Sequence, residues 1–149
     1  MSNLEVNIEV LQADGLAVKD TNFLGIPTSS DPYIEVRFKP AGPSTPESDV
    51  QFLGKTPVIR KTVAPKWDGL PPFTCQVPMN QLKQDACFEL TVMDWDKMTE
   101  DDLMGVVHVY VHPERTVKAE TKWHGIPATS AAGDEATGRI QATLMTRRC

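Results

Sequence analysis

Leu4, Val6, Ile8 and Val10 alternate with Glu5, Asn7 and Glu9, the period of two that marks a strand with one buried face. The alternation returns in Ile34, Val36 and Phe38, in Phe73, Cys75 and Val77, and in Phe88, Leu90 and Val92. It returns again in Val107, Val109 and Val111, and in Ile140, Ala142 and Leu144. Thr56 to Thr62 is assigned as the third strand, at an edge or with a late start because Pro57 lacks a ladder donor. Thr121 to Gly125 forms a short seventh, and Asn80 to Asp85 adds a helical turn. Nowhere does a ten-residue stretch carry a helical period, and no internal repeat is found. Short strands with turn residues between them predict an all-β fold, an eight-stranded antiparallel β-sandwich, rather than alternating βαβ units.

At 149 residues, with 40% apolar and 23% charged residues, the chain is expected to form one domain, residues 1–149, with a core of ordinary size. Residues 40–50, rich in proline and serine, are read as a flexible hairpin extension, and residues 128–138 as a flexible loop of small residues. A net charge of −5 argues against a nucleic-acid binder, which needs clustered Lys and Arg to neutralise phosphate. It does not argue against a membrane surface, because a bound divalent cation reverses the local sign. Cys75, Cys87 and Cys149 lack metal-type spacing and are read as reduced thiols of a cytoplasmic protein, with one disulfide plus a free thiol as the alternative. The first ten residues alternate and carry no signal-peptide pattern. Cys149 stands last, where a prenylation box would have it fourth from the end.

The strand ending in Val92 runs directly into Asp94-Trp95-Asp96-Lys97-Met98-Thr99-Glu100-Asp101-Asp102. Like charges crowded into one loop repel, and hard oxygens crowded together suit Ca²⁺, which takes six to eight of them. Read singly, each aspartate is a turn former. Taken together, Asp94-x-Asp96 with Asp102 exceeds what a turn requires. An EF-hand is excluded, because its fifth, sixth and twelfth positions counted from Asp94 hold Met98, Thr99 and Gly105. The nucleophile loop of aspartate-based phosphatases needs an α/β scaffold and a threonine where Met98 stands. A sandwich gathers alternate loops at one end, so Asp20 and Asp31, in the loop after the first strand, are candidates to join this cluster.

Asp20, Ser30-Asp31-Pro32-Tyr33, Lys61-Thr62-Val63-Ala64-Pro65-Lys66-Trp67, Asp94-Trp95-Asp96 with Asp102, and Gly105 together closely resemble a C2 domain across nearly the whole chain. The resemblance implies a Greek-key β-sandwich. The first strand leads straight into the calcium loop, and Gly138 to Leu144 is similar to the opening strand of synaptotagmin-type domains, which implies the circularly permuted, type II topology. It also implies two or more Ca²⁺ ions held by Asp20, Asp31, Asp94, Asp96 and Asp102, with the carbonyls of Lys19 and Trp95 and the Thr99 side chain as further ligands. Asp101 falls outside the pattern and is expected to be solvated. The loop from Asp20 to Asp31 is longer than the family's usual one, and Ala64 replaces the family's Asn before Pro.

Phe23, Leu24 and Ile26 beside one acidic arm, with Met98 at the tip of the other, either pack within their loops or enter lipid. Lys55, Arg60 and Lys61 form a basic strip, read either as a weak site for anionic lipid or as a solvated strand face. Pro57 and Glu35 count against a phosphoinositide site there. His108 and His112, four apart, lie about 13 Å apart on a strand and are read as strand-face residues. No nucleophile elbow, P-loop or catalytic triad is visible. The resemblance therefore implies a non-enzymatic module, cytoplasmic and reversibly recruited to anionic phospholipid, phosphatidylserine above all, when calcium rises. The alternative is a C2 module that binds a protein partner without calcium.

Overall fold

The computed structural model describes residues 2–18, 24, 30–128 and 137–149. Within them the chain forms β1 (Asn3–Asp14), β2 (Pro32–Lys39), β3 (Gln51–Lys55), β4 (Phe73–Pro78), β5 (Cys87–Asp94), β6 (Asp102–Tyr110), β7 (Glu120–Gly125) and β8 (Arg139–Arg148). Two four-stranded sheets, ordered β4-β1-β8-β7 and β3-β2-β5-β6, are built from antiparallel pairs throughout. The antiparallel sandwich read from the alternation is the fold. Glu47–Asp49 and Met79–Gln81 form short single-turn 3₁₀ segments.

The inward residues are those the alternation marked. Leu4, Val6, Ile8 and Val10 of β1, Ile34, Val36 and Phe38 of β2, and Phe88, Leu90 and Val92 of β5 are all fully buried. Phe38 and Phe88 face each other across the β2–β5 ladder and meet edge to face, with centroids 5.2 Å apart and an interplanar angle of 67°. Asn3 and Cys149 exchange backbone hydrogen bonds of 3.0 Å, so the two ends of the described chain lie side by side. β1 runs from that end to Asp14, opposite Arg139, so both ends of the chain lie at the pole away from the β1–β2 connection.

The third strand is a correction. It spans Gln51–Lys55, not Thr56 to Thr62. That later segment follows the open start of β2 through isolated bonds, Thr56 N–H to Ile34 C=O (2.9 Å), Ile59 to Pro32 (3.0 Å) and Thr62 to Ser30 (2.8 Å). Pro57 removes a donor, and Lys61 takes a left-handed φ of 58°, so no regular ladder forms. β6 begins at Asp102, ahead of the apolar alternation. A bulge between its pairings Val92–Gly105 and Met93–Leu103 sets Met104 into the core, an arrangement a strict period of two does not show.

Residues 40–50 hold a hydrogen-bonded turn in which the buried Thr45 hydroxyl accepts from the Ala41 N–H (2.9 Å) and donates to the Gly42 carbonyl (2.7 Å). His108 lies on β6, and His112 lies just beyond it with a φ of 53°. The cysteines are free thiols, with Cys75 and Cys87 buried and Cys149 exposed.

On the outer face of the second sheet, Glu89 Oε2 lies 2.6 Å from Lys39 Nζ and 3.1 Å from His108 Nε2. Burial pushes the Glu89 carboxyl up, but Lys39 and His108 outweigh it and hold the group below its ordinary 4.5. A carboxyl depressed in the folded state adds stability above its unfolded pKa, and that stability is lost as pH falls through the folded pKa. Glu89→Gln should therefore cost stability at about pH 6 and little at about pH 3. Urea midpoints of both proteins across that range check it, and a constant gap would sink the assignment.

Candidate functional site

Three segments meet at the pole where β1 ends and β2 begins. The Ser30 hydroxyl donates to the Ala17 carbonyl (2.7 Å), closing the base of the β1–β2 connection. Leu16 N–H donates to the Val63 carbonyl (3.1 Å) and Ala13 N–H to that of Pro65 (3.0 Å), which brings in the segment after β3. The Trp67 indole anchors the same segment by donating to the Pro57 carbonyl (2.8 Å). Trp95 N–H donates to the Asp31 carbonyl (2.9 Å), which adds the loop after β5.

Asp31 and Asp94 stand side by side at this junction. The Asp31 N–H donates to Asp94 Oδ1 (2.7 Å), and Asp31 Oδ1 in turn accepts the Lys61 N–H (2.7 Å). The left-handed turn at Lys61 is what aims that N–H. Asp31 is 8% exposed and Asp94 4%. Asp102 lies directly opposite Asp94 in the β5–β6 register and is exposed. Asp96 faces its own loop. Its Oδ1 accepts the N–H groups of Met98 (2.8 Å) and Thr99 (3.3 Å), and its Oδ2 accepts the Thr99 hydroxyl (2.9 Å). Those bonds, the Met98 N–H foremost, hold the Asp96 carboxyl below its ordinary range.

Asp101 is the second correction. Expected to be solvated, it is partly buried and bridges two segments. Its Oδ2 accepts the Tyr33 hydroxyl from β2, and its Oδ1 accepts the Asp96 N–H (2.9 Å). Burial first, and then the Asp101 carboxylate, push the Tyr33 phenol well above its usual range. A tyrosine 68 positions away in sequence carries this contact, and no local pattern around Asp101 signals it.

Leu24 and Met98 are exposed, at 67% and 80%. Val18 and Leu103, which the sequence reading passed over, also expose apolar surface at the ends of the two arms. Lys19, Asp20, Phe23 and Ile26 lie outside the described residues. Lys55 stacks over the Tyr33 ring (5.5 Å) and Arg60 over the Trp95 ring (5.3 Å), while Lys61 is exposed.

The donor set suits a hard cation in chemistry. Asp31 is 8% exposed and hydrogen-bonded through the Lys61 N–H, and no Lys, Arg or His among the described residues forms an ion pair with it, so its negative charge is open to compensation by a cation. Among the described residues, however, no three Asp, Glu, His or Cys side chains are grouped closely enough to hold a metal. Asp20 lies outside those residues, and Asp96 is turned into its own loop.

The two packed four-stranded antiparallel sheets define a β-sandwich, with three connecting segments meeting at the pole just described. A model of the C2 domain family matches residues 4–126, and the chain belongs to that family. Among sequence relatives, synaptotagmin-11 of Mus musculus is 34% identical over 103 residues, covering 68% of this chain and 20% of that protein. A probable serine/threonine-protein kinase of Dictyostelium discoideum is 28% identical over 144 residues, covering 93% of this chain and 12% of the kinase. The chain thus spans a fifth or less of these relatives. Among solved structures, a single C2 domain of a plant extended synaptotagmin 1 superposes with a TM-score of 0.67 at 21% identity, covering 96% of this chain and 93% of that one. A calcium-bound pair of C2 domains from extended synaptotagmin 2 gives 0.68 at 20% identity, covering 95% of this chain and 45% of that one.

Proposed function

We propose that this C2 domain is a non-catalytic membrane-targeting module that docks on anionic phospholipid when calcium is bound. The observation that carries the reading is the pair of neighbouring, buried carboxylates, Asp31 and Asp94, at the pole that also carries Asp102, Asp96 and the exposed Met98. Asp20 and the carbonyls of Lys19 and Trp95 complete the proposed ligand set. Calcium, when bound, supplies the positive charge that cancels the aspartates and attracts anionic headgroups. The protein's own part is to hold the acidic rim on rigid strand ends and to offer Leu24, Met98 and, in the same loop as Leu24, Phe23 and Ile26 to the lipid interface. Lys55, Arg60 and Lys61 flank the rim and add attraction to anionic lipid. Among the described residues no helix is long and apolar enough to cross a membrane. Association through the rim is proposed to be reversible, with the domain cytoplasmic between calcium rises.

Co-sedimentation with phosphatidylserine vesicles, in calcium and in chelator, tests this. Pelleting in calcium alone is the expected result. Equal pelleting in both conditions, or none in either, would turn the reading to a calcium-independent protein-interaction module. Met98→Ser should weaken vesicle binding about tenfold, given about 0.8 kcal/mol for each apolar carbon group lost from the interface. Calcium affinity measured without lipid should stay unchanged, since the Met98 side chain supplies no ligand. A parallel loss of calcium affinity would assign Met98 to the loop's structure instead.

A further inference from the structure

The Asp101 carboxylate touches two groups that belong to different elements, the Tyr33 hydroxyl of β2 and the Asp96 N–H of the loop after β5. The second contact bears directly on the proposed ligand set. The Asp96 N–H and the Trp95 C=O belong to one trans peptide plane, in which the two groups point in opposite directions. An acceptor fixed on the N–H side therefore fixes where the carbonyl points. Asp101 is itself anchored, because Tyr33 is only 6% exposed and a buried phenol hydroxyl needs a partner. Tyr33 sits one residue after Pro32, the register partner of Asp94, so the anchor stands at the base of the rim. The Trp95 N–H is held by Asp31 (2.9 Å) and its ring is covered by Arg60, which leaves the Trp95–Asp96 peptide as the joint that Asp101 controls.

We propose that Asp101 and Tyr33 are positioning residues for the calcium rim: together they form a strut that orients the Trp95 carbonyl toward the ion. Asp101 acts through its hydrogen bonds and not as a ligand. The inference rests on the calcium reading for its effect on affinity, but the strut itself exists in the ion-free protein and is measurable there.

The test uses Tyr33→Phe, Asp101→Ala and Asp101→Asn, each examined in chelator by amide resonances and then by calorimetric calcium titration. In chelator the Asp96 amide proton, bonded to a carboxylate, should resonate downfield. It should move upfield in Tyr33→Phe and Asp101→Ala. Calcium affinity should fall about five- to tenfold in both, the net effect of one lost hydrogen bond. The double variant Tyr33→Phe/Asp101→Ala should be no worse than Asp101→Ala, because both residues serve one strut. Asp101→Asn keeps an oxygen for the Asp96 N–H and an amide for the Tyr33 oxygen, so it should recover most of the affinity. An Asp101→Asn loss as large as that of Asp101→Ala would make the charge the cause and overturn the strut. An Asp96 resonance unmoved in Tyr33→Phe and Asp101→Ala would overturn it as well. Wild-type protein that takes up no calcium while the Asp96 resonance responds as expected would refute the calcium reading and leave the strut standing.

Discussion

Asp94→Asn should abolish calcium-dependent pelleting on phosphatidylserine vesicles while leaving the domain folded. The substitution suits the question because of what it preserves. Asp94 Oδ1 accepts the Asp31 N–H at 2.7 Å, and the amide oxygen of asparagine can take that bond in the same rotamer. What disappears is one formal charge and one anionic oxygen at a residue only 4% exposed, where water cannot replace them. Asp94 sits centrally, with Pro32 and Asp102 its partners on the two flanking strands. Loss of a central carboxylate ligand should weaken calcium binding on the order of a hundredfold, beyond the reach of ordinary calcium rises. The thermal midpoint in chelator should stay within a few degrees of wild type, because the backbone tie survives. Calorimetric titration with vesicle pelleting makes the measurement, and unaltered pelleting would remove Asp94 from the site. Asp102→Asn should do less, since Asp102 is exposed and a water can take a vacated position.

The contrast between Asp94 and Asp101 shows what the sequence made legible. Asp94 follows an apolar alternation and stands two residues before Asp96, so chain order alone marks it as a carboxylate at a strand end. Asp101 carries no such local mark, and its role depends on a hydroxyl brought from β2 across the β2–β5 and β5–β6 ladders. Pairings at that separation are consequences of the whole topology. Asp96 is an intermediate case. Its position in the motif was readable, but its turn toward the Met98 and Thr99 amides was not, because an Asp in a tight loop can bond its own backbone or face outward with little difference in local preference.

The strands divide in the same way. Where one face is buried along most of the strand and the other is mostly less buried, as in β1, β2, β5 and β8, the period of two survives and the strand is read within a few residues. β3 fails this condition. It is an edge strand whose residues are all exposed or intermediate, and its pairing with β2 slips between Val36 and Arg37 where Gly54 takes a φ of 139°. With no buried face there is no alternation to detect, and the apolar residues of Thr56 to Thr62 drew the assignment instead. That segment does contribute Ile59, and Val63 directly after it, to the margin of the core, which is why its composition resembles a strand although its backbone does not.

Phe88→Ala should be the most destabilising single change in the core and should leave calcium affinity intact in protein that remains folded. Phe88 is fully buried and meets Phe38 edge to face, so truncation removes an aromatic pair and opens a cavity between the sheets. Such changes cost about 3–5 kcal/mol, which in a chain of this size lowers the thermal midpoint by about 8–15 °C. The independence of the site follows from position. Phe88 pairs with Phe38 next to the Lys39–Cys87 end of the β2–β5 ladder, while Pro32 and Asp94 close the other end. The length of β5 therefore separates Phe88 from the rim, about 20 Å. Rigid, cross-bonded strands do not pass a cavity over that distance without unfolding as a unit. Urea denaturation should show a lower midpoint with an unchanged slope, and titration at low temperature should return the wild-type calcium affinity. A weakened affinity in folded Phe88→Ala protein would mean that the rim draws its geometry from the far end of the core, and the loss expected in Asp94→Asn could then no longer be ascribed to one missing oxygen.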